Sequence, residues 1–92
     1  MQKFILTNNG EIRLGDVNLH RHLLLPGERC LGGGYWQIDY ASMTLQLSGA
    51  SMDYGRPQWD RFGTLLVPSG YMGMAVTYEG RNLAWDHELE PV

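Results

Sequence analysis

Three short segments of this chain alternate large apolar side chains with polar or small ones, and this pattern restricts the fold more than any other feature of the sequence. The segments are residues 35–40, 43–48 and 72–78. A period of two residues places successive side chains on opposite faces of an extended chain, so each segment is predicted to be a β-strand. Only two residues separate the first two segments, which predicts a hairpin. We therefore expect a sheet-rich fold.

The N-terminal region has the features of a further hairpin. Asn-Asn-Gly at residues 8–10 ends in the dipeptide that tolerates the positive φ angles of a tight turn. The first strand is expected over Lys3–Thr7. The second is expected over residues 12–14 and, after a bend, over residues 17–19.

One clear helix is expected over residues 57–66. Pro57 suits the first position of a helix, because the N–H group that proline lacks would have no partner there. Three large apolar residues then share the spacing i, i+3 and i+7 of one helical face. They are Trp59, Phe62 and Leu66. One short helix, of a single turn, is expected over residues 21–25, where a Pro-Gly pair ends it. Together the elements predict an α+β fold with a mixed sheet of five or six strands.

Length and composition predict one small domain of the cell interior. The 92 residues allow a single core, so residues 1–92 form one domain. No basic-then-apolar leader is seen, and the longest apolar run has three residues, far below the roughly 20 that a membrane-spanning helix needs. Cys30 is the only cysteine, which excludes an intrachain disulfide and favours a reducing compartment. We expect a cytoplasmic protein with no membrane partner.

Charge argues against nucleic acid as a partner. The formal net charge is −3 and the seven basic residues are scattered along the chain, whereas nucleic-acid binders normally carry a basic face or stripe. A local pocket for a small anion is compatible with this distribution.

Two loops are candidates for binding such an anion. The glycines at residues 32–34 expose backbone N–H groups in a flexible loop, which can close around an anion or simply form a turn or close strand packing. Residues 51–55 precede the expected helix, where N–H groups without partners favour an anion. Alternatively, Ser51 or Asp53 only caps that helix.

Histidine and cysteine side chains are the candidates for chemistry. His20 and His22 form the only close histidine pair, and two such ligands without nearby cysteine or carboxylate make a poor metal site. We therefore expect no metal and no other cofactor. A neutral imidazole is the commonest general base near pH 7. Cys30 is interpreted as a structural thiol, because no arginine closes a phosphatase-type loop after it.

Taken together, the two loops resemble the Janus/Ocnus family. Cys-Leu-Gly-Gly-Gly at residues 30–34 and Ser-Met-Asp-Tyr-Gly at residues 51–55 are similar to the family's Cys-Leu-Gly-Gly-Gly and Ser-Met-Ala-Tyr-Gly, at the same separation. Leu19-His20 looks like the family's aromatic-His motif, and Lys3 looks like its phosphate-contacting lysine. The resemblance covers roughly half of the chain.

This resemblance implies a mixed sheet flanked by two helices and the metal-independent hydrolysis of phosphohistidine. His20 would be the general base, while Lys3, Ser51 and the amides of Met52 and Asp53 would hold the phosphoryl oxygens. The partner would be a phosphorylated protein or a small phosphorylated molecule. Asp53 replaces the family's alanine, and its carboxylate would either face the phosphate and repel it or face outward and cap the helix.

Two other classes of function are compatible with the sequence. A noncatalytic binding or interaction module would keep the fold without the chemistry. Alternatively, aromatic residues form a homo-oligomer interface or a peptide groove. These residues are Tyr35, Trp36, Tyr54, Trp59 and Trp85.

Overall fold

The computed structural model describes residues 2–16, 20–49 and 54–92. Within these ranges the strands are β1 (Lys3–Thr7), β2 (Ile12–Leu14), β3 (Cys30–Asp39), β4 (Thr44–Ser48), β5 (Thr64–Val67), β6 (Ala75–Tyr78), β7 (Arg81–Asn82) and β8 (Glu88–Pro91). Four short 3₁₀ helices cover His20–Leu23, Trp59–Arg61, Ser69–Tyr71 and Leu83–Trp85. None of the helices in the described ranges has the length and hydropathy needed to span a membrane.

Six of the strands form one mixed sheet in the order β2-β1-β3-β4-β6-β7. β4 and β6 are parallel, and the other neighbouring pairs are antiparallel. The chain is therefore a small compact domain with a mixed sheet and few helices, as the α+β interpretation requires at this level. The predicted hairpin of β3 and β4 is confirmed, with Trp36 paired to Leu47 and Ile38 to Leu45.

The N-terminal hairpin is confirmed as well. β1 pairs with β2 in antiparallel register, and Gly10 has a φ of 81°, which a residue without a β-carbon adopts at little cost. The Thr7 carbonyl accepts a 3.0 Å hydrogen bond from the Gly10 amide and closes the turn. The predicted continuation of the second strand at residues 17–19 lies outside the described residues.

The predicted clear helix over residues 57–66 is wrong. Only Trp59–Arg61 forms a 3₁₀ turn, and Phe62 already has extended backbone angles of φ −127° and ψ 128°. β5 follows and pairs in parallel with β8 in a second, two-stranded sheet. Leu65 and Val67 are fully buried while the residues beside them are half-buried, which is the period of a strand. Pairing with a segment more than twenty residues away thus overrides the local helical spacing.

The predicted flexible loop at residues 32–34 is also wrong, because β3 begins at Cys30 and includes all three glycines. The short helix expected after His20 is present only as the 3₁₀ turn His20–Leu23. The predicted strand over residues 72–78 is partly confirmed. Its second half forms β6, which begins at Ala75, whereas the residues before Ala75 lie between the 3₁₀ turn Ser69–Tyr71 and the strand.

The two faces of the six-stranded sheet bury different groups. Phe4 and Leu6 of β1 belong to the main apolar cluster, which also takes in the second sheet through Leu65 and Val67. Ile5 is fully buried but points to the opposite face, because side chains alternate along a strand. That second face is covered by the 3₁₀ turn His20–Leu23, which contacts β1.

Candidate functional site

His20 is buried on the second face of the sheet, with 1% of its surface exposed. Its Nε2 lies 2.9 Å from the carbonyl oxygen of Gly34. A carbonyl only accepts hydrogen bonds, so Nε2 carries the hydrogen of this contact. The fold therefore fixes the orientation of the candidate base.

Gly33 provides the space for this imidazole. A β-carbon at Gly33 would lie 2.6 Å from the Phe4 carbonyl oxygen and 3.0 Å from Cδ2 of His20. Both distances are shorter than ordinary packing allows, so a side chain at this position would clash with the Phe4 carbonyl and crowd the histidine. The glycine is explained by close packing rather than by flexibility.

Two tyrosines pack against the same imidazole. The ring centroid of Tyr54 lies 5.2 Å from that of His20, nearly edge to face, and the Tyr35 centroid lies at 6.1 Å. Tyr54 belongs to the Ser-Met-Asp-Tyr-Gly segment, so the end of this motif lies against the histidine that the resemblance singles out. The resemblance already joined the segment of Tyr54 to His20, but the contact of the two tyrosine rings with the imidazole was not predicted, because it depends on residues far apart in the sequence.

Lys3 lies on the same face of the sheet as His20. It is half-buried in β1 and pairs with Tyr35 of β3, which contacts the histidine. Residues two apart on a strand share a face, so Lys3 also lies on the side of Ile5. Ser51, Met52 and Asp53, the other predicted phosphate ligands, lie outside the described residues.

Backbone groups of the glycine segment and of Leu31 before it are used by the fold. The Gly33 amide donates a 3.2 Å hydrogen bond to the Gly55 carbonyl, and the Gln58 amide donates to the Leu31 carbonyl at 2.9 Å. β4 ends at Ser48, so residues 55–58 take over the edge of β3 beyond it. Of the two interpretations of these glycines, close strand packing is the one the geometry fits at Gly33.

Gly32 and Gly34 are required for the same reason. Gly32 has a φ of 122°, and a β-carbon there would lie 2.4 Å from the α-carbon of Pro57. A β-carbon at Gly34 would lie 1.9 Å from the carbonyl oxygen of Ser48. The glycine triplet thus allows two neighbouring backbone segments to approach β3 closely.

A polar cluster fixes the loop that follows the His20 turn. Nη1 of Arg13 donates to the Leu23 carbonyl at 2.7 Å, and Nη2 donates to Glu28 at 2.9 Å and to Glu11 at 3.0 Å. Hydrogen bonds from Arg13 and from the Leu25 amide lower the pKa of Glu28 to about 2. The hydrogen bonds of Arg13 to Glu28, and to a lesser extent to Glu11, raise the pKa of the arginine. The covering turn therefore depends on one arginine held between two carboxylates.

The thiol of Cys30 has the environment of a structural cysteine. Its Sγ is 3.2 Å from the Gly32 carbonyl, and burial raises the pKa of the thiol. A raised pKa leaves little thiolate at neutral pH, and the thiolate is the nucleophilic form.

A separate cleft of about 640 Å³ lies beside β6. It was not predicted from the sequence. Trp59 and Tyr78 form part of its wall, with ring centroids 5.4 Å apart. Arg56 places its guanidinium carbon 5.0 Å from the Tyr78 centroid. Burial raises the pKa of Tyr78. No local motif connects these residues, because they come together only through the fold.

Trp59 carries a buried donor without an acceptor. Within the described part of the chain, its Nε1 has no hydrogen-bond partner. A buried polar group left unsatisfied costs about 1–3 kcal/mol.

No family model, curated protein or solved structure matches this chain. The resemblance to the Janus/Ocnus family therefore stays a prediction from two short motifs.

Proposed function

We propose that this chain is a phosphohistidine phosphatase-like domain with the Janus/Ocnus fold, acting in the cytoplasm on a phosphorylated protein or a small phosphorylated molecule. The observation that supports it best is the buried imidazole of His20. Its Nε2 donates to the Gly34 carbonyl at 2.9 Å, which fixes the orientation of the ring. A general base must be positioned in this way relative to the proton that it accepts.

The surroundings of His20 support the same proposal. Tyr54 brings the end of the second motif to within ring contact of the imidazole, and the Gly33–Gly55 hydrogen bond joins the two motifs. Lys3 supplies a cation on the same face of the sheet. Because the Gly33 amide is occupied, the proposed phosphoryl ligands are Lys3 and residues 51–53 rather than the glycine triplet.

The proposed reaction is hydrolysis of the P–N bond of phosphohistidine. Water attacks phosphorus and gives one proton to the imidazole of His20. The electrons of the breaking P–N bond pass to the substrate imidazole, which takes up that proton from His20 and so restores the base. Lys3, the hydroxyl of Ser51 and the amides of Met52 and Asp53 hold the phosphoryl oxygens, since donors aimed at developing charge stabilise the transition state.

A second candidate function is a noncatalytic binding module with the same fold. One specific observation favours it: only 1% of the His20 surface is exposed. A histidine that is buried and hydrogen-bonded to a backbone carbonyl also serves to stabilise a fold. Such a module would bind a phosphorylated partner without hydrolysing it.

The decisive experiment measures phosphate release from a phosphohistidine-containing peptide without added metal. We expect wild-type activity and a loss of about 10²–10⁴-fold in His20→Asn, because asparagine cannot accept a proton near pH 7. His22→Asn is the matched control, since His22 lies on the same 3₁₀ turn and is exposed. It should keep full activity. Circular dichroism establishes that each variant is folded.

The same assay separates the two candidates. Peptide binding without hydrolysis by the wild-type chain would support the noncatalytic module and contradict the enzyme. Hydrolysis that survives in His20→Asn but is lost in Cys30→Ser would contradict the proposed base, because it would require a covalent route through the thiol.

A further inference from the structure

The cleft beside β6 contains two arginines in different electrostatic states. Arg81 forms a two-point ion pair with Asp86, with distances of 2.8 and 3.1 Å, and lies over the Trp85 ring. Arg56 lies over the ring of Tyr78. No carboxylate of the described residues is within ion-pair distance of Arg56. Arg56 is therefore the cation of the cleft that has charge left to offer a ligand.

Two of the three carboxylates that line the cleft are already engaged. Asp86 is bound by Arg81, and Glu79 accepts a 2.6 Å hydrogen bond from the Gly49 amide. Asp60, the third, is exposed. These negative charges disfavour a doubly charged anion more than a singly charged one, because repulsion scales with the product of the charges.

The guanidinium of Arg56 suits a carboxylate. A carboxylate binds such a group through two parallel hydrogen bonds. Arg56 lies 5.0 Å from the Tyr78 ring centroid, and its guanidinium carries five N–H donors, so it can contact the tyrosine and bind a carboxylate at the same time.

Apart from His87, the remaining wall of the cleft is apolar and aromatic. Trp59, Tyr78 and Leu83 belong to the main apolar cluster and also line the cleft. Its volume of about 640 Å³ falls within the range of about 300–1,000 Å³ found for small-molecule sites.

We propose that the cleft is a binding site for a small organic monocarboxylate with a flat apolar body. Arg56 binds the carboxylate through two hydrogen bonds, and the Trp59–Tyr78 wall contacts the body. The site is distinct from the His20 face and does not depend on the proposed hydrolytic activity.

The test is an NMR titration of the whole chain with benzoate, using the neutral benzamide as the matched ligand. Benzoate should shift the indole N–H of Trp59 and the amides of Tyr78 and Leu83, and should bind at least about tenfold more tightly than benzamide, since hydrogen bonds to charged groups are the stronger ones. Equal affinity for the two ligands would overturn the proposal, as would the absence of shifts at tens of millimolar benzoate.

Two arginine variants locate the carboxylate. Arg56→Gln should weaken benzoate binding about tenfold, whereas Arg81→Gln should leave it within about twofold, because Arg81 is already paired. If Arg56→Gln does not fold, Arg56→Lys decides: it keeps the charge but not the planar fork, and should bind benzoate several-fold less tightly. Unchanged affinity in a folded Arg56 variant, or an equal loss in Arg81→Gln, would contradict the assignment.

Inorganic phosphate distinguishes this site from the proposed hydrolytic one. Phosphate should perturb Lys3, Tyr54 and Gly55 while leaving the Trp59 indole unmoved, and benzoate should do the reverse. Competition between the two anions would contradict the separation of the sites. Failure of either titration alone leaves the other proposal standing.

Discussion

The two faces of the six-stranded sheet are covered in different ways. One face is packed by the second sheet and by Trp59, whose side chains form an apolar cluster. Among the described residues, the other face is covered near β1 by the 3₁₀ turn that carries His20, and Arg13 and Glu28 hold this turn in place. The first face is stabilised by the removal of apolar area from water, whereas the second depends on a few directional contacts.

Because of this difference, point substitutions should affect the stability of the two faces in different ways. Apolar packing is lost in proportion to the volume removed, and it responds little to pH. A cover held by hydrogen bonds and one ion-pair cluster is sensitive to steric intrusion and to protonation. The candidate base, His20, lies on the second face, whose cover is held by hydrogen bonds and ion pairs.

The largest expected effect is on the packed face. Leu65→Ala should lower the free energy of unfolding by about 2–5 kcal/mol, because Leu65 is fully buried and its truncation leaves a cavity. The matched variant Leu66→Ala should cost less, since Leu66 is only half-buried in the same strand. Urea denaturation measures both. A larger loss for Leu66→Ala would contradict the strand and restore the helical pattern, in which Leu66 faces the core.

A smaller effect is expected on the His20 face. Gly33→Ala should destabilise the fold by about 1–3 kcal/mol, because the added methyl group meets the Phe4 carbonyl and the imidazole of His20. Gly73→Ala is the control, since a β-carbon there has nothing within 4 Å; it should change stability by less than about 0.5 kcal/mol. Thermal unfolding of both variants makes the comparison. Equal stabilities would mean that His20 does not pack on Gly33.

The smallest expected effect is a dependence of the free energy of unfolding on pH, which should concern the His20 face and not the packed face. The pKa of Glu28 is lowered from 4.5 to about 2, so its contribution to stability is present above about pH 4.5 and is lost as the pH falls towards 2. The stability difference between the wild-type chain and Glu28→Gln should therefore shrink over that window. Glu90→Gln, on an exposed strand position, controls for the loss of one negative charge.

A stability difference that is constant with pH would contradict the role of Glu28 in fixing the covering turn. NMR adds the spatial test. As the pH falls through the same window, the resonances of Leu23 and His20 should move before those of Leu65 and Val67.

Several elements were predictable because their signals are local. Asn-Gly at residues 9–10 and the alternation in residues 43–48 depend on neighbours in the chain, and both hairpins are present as predicted. His20 was predictable as a candidate only through its resemblance to a family motif. Its burial, its hydrogen bond to the Gly34 carbonyl and its contact with Tyr54 were not, since they depend on residues far apart in sequence.

By itself, the sequence determined where the chain turns and which residues alternate, because steric limits on φ and the two-residue period of a strand act within a few residues. Only the tertiary structure decided that Thr64–Val67 is a strand, since its partner Glu88–Pro91 supplies the hydrogen bonds. Only the tertiary structure decided, too, that the glycine triplet admits neighbouring backbone and an imidazole instead of forming a flexible loop. A helical spacing of apolar residues in a short segment contributes little stability by itself. Long-range strand pairing and burial therefore outweigh it.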